Sequence, residues 1–64
     1  MTIDRARELL QQQVELGSGY NRNSAKLILN EVFKEHGQPA VDQLIRELDL
    51  ENIFGFKPGE KIFV

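Results

Sequence analysis

The chain has 64 residues, no cysteine, one histidine and a formal net charge of −2. A length of this order holds one small domain with a small core, and the lack of cysteine excludes disulfides and a Cys/His zinc site as staples. With 28% charged and 41% hydrophobic residues, the chain has no excess of positive charge to draw in nucleic acid.

The opening stretch MTIDRARELL is charged from its fourth residue. It lacks the basic start and unbroken apolar run of a secretory signal. Nothing in the sequence approaches the roughly 20 apolar residues of a membrane span. A soluble, cytoplasmic protein is expected.

The first predicted helix runs from about Thr2 to Leu16. Thr2 serves as its N-cap, and Asp4 in the first turn complements the positive end of the helix dipole. At about 100° per residue, Ile3, Ala6, Leu10 and Val14 share one stripe, which Leu9 and Leu16 widen. Gln11, Gln12 and Glu15 occupy most of the remainder, with Gln13 near the edge of the stripe. Gly17-Ser18-Gly19 then breaks the pattern, and so short a connection makes the next helix antiparallel or sharply crossed.

The second helix starts near Asn21 or Asn23, both good caps, and ends at His36. Its apolar stripe is Ala25, Ile28, Leu29, Val32 and Phe33. Leu27 lies nearly opposite, among Ser24, Glu31 and Lys34, with Tyr20 as a flank. Either another part of the chain or a partner must cover it. Gly37 suits the position just past a helix end, and Pro39 suits a first helical turn, where no backbone donor is required. The third helix carries Ala40, Val41, Leu44, Ile45 and Leu48 on one face. Asp42 and Arg46 stand at i,i+4, where they can pair across one turn.

Past Asp49 the helical register falters and the tail becomes apolar, with Leu50, Ile53, Phe54, Phe56, Ile62, Phe63 and Val64. Lys57-Pro58-Gly59-Glu60 places proline and glycine at the central positions of a type II turn. The turn can join two short strands, Ile53–Phe56 and Lys61–Val64, in a hairpin laid on the helices. The rival is a further helical turn over Leu50–Phe54 followed by an extended tail. The expected fold is therefore mainly α, a single domain over residues 1–64. It has three helices and a short C-terminal β-hairpin or extended tail packed on them.

Four features could carry chemistry. The GSGYNRNSAK stretch could hold an anion on Asn21, Arg22, Asn23 and Lys26. It lacks the spacing of a P-loop and follows a helix rather than a strand, so a capped, helix-breaking turn explains it as well. The second and third helices suggest a helix-turn-helix, with Gln43 and Arg46 as base readers. Residues 37–52, however, set one arginine against Asp42, Glu47, Asp49 and Glu51, a surface that repels the phosphate backbone.

His36 stands at a helix C-terminus, where capping the last carbonyls accounts for it without catalysis. The acids Glu47, Asp49 and Glu51 read as a solvated face, in a chain too small for an enclosing cleft.

These readings predict a non-enzymatic interaction or regulatory module with no cofactor and no metal. Its partner is another protein or a second copy in a homodimer, met through apolar surface. The predicted contact residues are Tyr20, Arg22, Asn23, Lys26, Leu27, Phe54, Phe56 and Phe63. A helix-turn-helix DNA-binding regulator is the alternative.

Overall fold

The computed structural model describes residues 1–16 and 21–59. Four helices lie among the described residues: α1 (Ile3–Leu16), α2 (Asn21–His36), α3 (Gln38–Glu47) and α4 (Leu50–Phe54). The chain is mainly helical, as its periodicity predicts. Helix α1 packs on α2, α2 on α3 and α3 on α4.

Thr2 caps α1 as expected, its Oγ1 accepting the Arg5 N–H at 3.0 Å. Ala6 and Leu10 point from α1 into the core, with Ile3 and Val14 packed at its margin. Helices α1 and α2 run antiparallel. At one end His36 Nε2 donates to the Met1 carbonyl at 3.0 Å, and the Met1 amino group pairs with Glu35. At the other, Asn21 Nδ2 donates to the Gln13 carbonyl at 3.4 Å. His36 thus bridges two helix ends. Helix α3 is tied to α1 by Arg7, whose Nε donates to Glu47 at 2.7 Å while Nη1 reaches Asp4, also at 2.7 Å.

The buried face of α2 is narrower than the sequence stripe. Ala25, Leu29 and Val32 are fully buried, whereas Phe33 is 40% exposed. About 100° of rotation per residue carries Phe33 past Leu29 to the rim of the face, so its place in the core stripe is corrected.

One residue separates α2 from α3. Gly37 has φ 87 and ψ 178, a combination that essentially only glycine adopts. Its N–H closes α2 on the Phe33 carbonyl at 2.9 Å, and its own carbonyl accepts from Val41 at 3.5 Å at the start of α3. Pro39 sits in the first turn of α3. Ala40, Val41, Leu44 and Ile45 fill the centre of the core.

The proposed first strand, Ile53–Phe56, is not a strand. Leu50 and Phe54 are buried while Ile53 is 42% exposed, the spacing of a helix turn rather than of alternating strand faces. Asp49 in the left-handed conformation (φ 55) leads into α4, and Gly55 (φ 83) ends it with its N–H on the Glu51 carbonyl at 2.9 Å. That left-handed exit is a common helix stop. Gly59 has φ 81, the sign a type II turn requires at its third residue. The second proposed strand, Lys61–Val64, lies outside the described residues, as do Gly17-Ser18-Gly19, Tyr20 and Phe63.

Candidate interaction surface

The predicted contact residues that are described divide into two groups. Phe54 and Phe56 are buried, Phe56 to 1% exposure, and their ring centroids stand 6.2 Å apart. The apolar tail therefore completes the core at these positions and offers neither ring to a partner in this state. Three short helices leave an open side, and burying each aromatic ring recovers about 1.5–3 kcal/mol.

Arg22 stays on the surface and also makes contacts within the chain. Its Nε donates to the Phe54 carbonyl at 2.8 Å, and its guanidinium carbon lies 4.6 Å from the centre of the Phe56 ring. The last carbonyls of a helix lack partners within it, so a cation at the end of α4 satisfies one while stacking on an aromatic face. Arg22, expected as a partner contact, is thus exposed and engaged within the chain at once. Because Asn21 is engaged with Gln13, two of the four predicted anion-holding side chains serve internal contacts. No spacing rule signals the Arg22 contact, which joins residues 32 apart.

Asn23, Lys26 and Leu27 do lie on the surface, on the first turns of α2. Leu27 is 67% exposed and stands across the helix from Leu29 and Val32, as predicted. Lys34 and Glu31 are exposed on the same side. A large apolar side chain thus sits within a polar surround, on a helix whose other face is fixed in the core.

The outer side of α3 is occupied differently from a DNA-reading surface. Gln43 Nε2 donates to Glu47 at 2.8 Å, and Glu47 also holds Arg7. The Arg7 guanidinium, then Gln43, keep the Glu47 carboxyl below its usual range. A single residue between α2 and α3 is also shorter than the three- to four-residue turn of a helix-turn-helix.

Asp42 holds the tail in place. It was expected to pair with Arg46, but its carboxylate accepts from the Gly59 N–H at 2.7 Å and from Gln38 Nε2 at 2.8 Å. Arg46 adds only a longer-range attraction. Chiefly through the Gly59 donor, the Asp42 carboxyl is lowered from its ordinary value of 3.8. A carboxyl lowered on folding contributes stability above its unfolded value and loses it as pH falls through the folded value. The urea midpoint of the wild type should therefore fall further than that of Asp42→Asn between pH 7 and about pH 2.5. Equal losses in the two proteins would show that ionisation of Asp42 contributes nothing to folding.

Among the described residues no three His, Cys, Asp or Glu side chains gather to hold a metal ion. None of their helices is long and apolar enough to cross a membrane. Comparison with known proteins finds no family model, no curated protein and no solved structure that matches the chain.

Proposed function

We propose that the chain is a small, non-enzymatic interaction or regulatory module that binds a protein partner through the outer face of α2 centred on Leu27. The observation that carries this reading is the exposure of Leu27, 67%, on a helix anchored by its opposite side. Burying such a side chain recovers about 1.5–3 kcal/mol, and contact centres are commonly an apolar anchor within a polar rim. Asn23, Lys26, Glu31 and Lys34 supply that rim. The partner is a second copy or another protein, met in the cytoplasm.

Leu27→Lys tests the proposal without touching the core. The variant should keep the thermal midpoint of the wild type to within a few degrees, since exposed substitutions away from special features shift stability by only about 0.5 kcal/mol. Sedimentation equilibrium over a wide concentration range then reads self-association, and a photocrosslinker at position 27 reads a different partner. The expected result is that Leu27→Lys abolishes whichever association the wild type makes. Association that survives the substitution intact would sink the assignment to this face. Mixed duplex DNA at low salt is a necessary control, because salt-dependent binding would instead favour a DNA-binding regulator.

A further inference from the structure

The pattern of side chains around Leu27 specifies what can cover it. We propose that a second copy of the chain docks on the outer face of α2, with the two α2 helices antiparallel and the two-fold axis passing through Leu27. This inference rests on the reading of that face as the contact surface, and it names the occupant and the geometry.

In a two-fold dimer the same patch serves both partners, so each residue must suit the one that symmetry brings opposite. Leu27 is 67% exposed and is the large apolar side chain among Asn23, Ser24, Glu31 and Lys34, all exposed. Such a face offers Leu27 an apolar neighbour only when Leu27 meets its own image, which places the axis there. Positions equally far before and after Leu27 then lie level with each other. At about 100° per residue, Ser24 and Glu31 stand on the same flank of Leu27, and the two-fold rotation preserves that flank. The Ser24 hydroxyl of one copy therefore comes beside the Glu31 carboxylate of the other, a donor against an acceptor, and the contact forms twice. Asn23 brings a second donor to the same level.

Charge decides the orientation. A parallel pair would set Glu31 against Glu31 and Lys34 against Lys34, and like charges opposed across an interface are unfavourable. In the antiparallel pair, at 1.5 Å rise per residue, the two Glu31 are offset by about 12 Å along the helices and the two Lys34 by about 21 Å. Both offsets exceed the screening length of about 8–10 Å at ordinary ionic strength. These groups are also uncommitted. Arg5–Glu8, Arg7–Asp4 and Arg7–Glu47 pair within the chain, whereas among the described residues Glu31 and Lys34 form no salt bridge. The chain has no cysteine and so no disulfide, and association is a common further source of stability at this length. A single helix crossing falls below the roughly 1,200–2,000 Å² of standard interfaces, so the dimer is transient and its population rises with concentration.

Disulfide trapping tests the proposal on the full chain, because Ser24→Cys and Glu31→Cys each introduce the sole thiol. Both sites are exposed, and circular dichroism checks that each variant folds. The two variants are mixed in equal amounts in a glutathione redox buffer, and intact mass separates the three disulfide-linked species. The mixed species should exceed either same-variant species by about tenfold, because only it meets the Cα spacing that a disulfide tolerates. Its other edge keeps the native Glu31–Ser24 contact. Adding Leu27→Lys to both variants should return the mixture to statistical proportions. Predominance of the same-variant species would mean a parallel pair and overturn the proposal. A statistical mixture without Leu27→Lys would overturn it as well, and photocrosslinking from position 27 then separates the two readings. Capture of a different protein would leave the face as a contact surface without the dimer, and capture of nothing would remove both.

Discussion

Replacing Phe56 with alanine should lower the stability of the fold by about 3–5 kcal/mol, the usual loss for truncating a buried phenylalanine. Phe56 heads the fully buried large side chains of the chain. Its ring packs near Phe54 and lies under the Arg22 guanidinium, so the substitution removes a hydrophobic contact and a cation–π contact together. A chain of this length has roughly 3–10 kcal/mol of total stability at about 0.05–0.15 kcal/mol per residue. The variant should thus be largely unfolded, or close to it, at room temperature.

Urea unfolding followed by circular dichroism reads the loss, with Phe56→Leu as a milder comparison. A change below about 1 kcal/mol would contradict the burial of this ring.

Gly37→Ala should destabilise by about 1–3 kcal/mol through the backbone alone. The added methyl group would meet only Pro39 Cδ, at 3.7 Å, an ordinary contact, so crowding contributes little. The cost arises from φ 87 with ψ 178, which an L side chain resists. At 64 residues the chain is short enough for chemical synthesis, and a D-alanine at position 37 separates the two causes. The mirror-image residue accepts that conformation without strain. It should restore the thermal midpoint close to that of the wild type, with its methyl group on the opposite side of Cα. If D-alanine and L-alanine lower the midpoint equally, the backbone explanation fails and packing at the α2–α3 corner must account for the loss.

The long helices were legible because their apolar residues repeat with the helical period and their ends carry local signals. Thr2 before α1, Gly37 between helices and Pro39 within α3 each act within one turn of where they stand. The sequence pattern assigned Ala25, Leu29, Val32, Val41, Leu44 and Ile45 to the core, where the structure buries them.

Legibility fell where the outcome depended on distant partners. Ile53, Phe54 and Phe56 fit a short strand as well as a helix turn followed by an inward-pointing ring. The helix wins through the left-handed turns at Asp49 and Gly55, and nothing in an aspartate announces that conformation. Asp42 had an obvious partner at Arg46 by spacing, yet a backbone N–H offered by the returning tail displaced it. On the proposed surface, Leu27 was visible as the residue opposite the stripe. Arg22 is exposed as well, and no local rule signals its contact with α4.

The helices touch in the order in which they occur along the chain, α1 with α2, α2 with α3 and α3 with α4. Each principal burial step therefore closes a short loop, which costs little chain entropy, and folds dominated by such local contacts form in microseconds to milliseconds. The contacts that span the chain, Arg7 to Glu47 and Arg22 to Phe54, are polar fastenings made once the helices are already in place. During synthesis, both members of the first packed pair exist as soon as His36 has been added, so the chain can begin to cover its apolar surface before its tail leaves the ribosome.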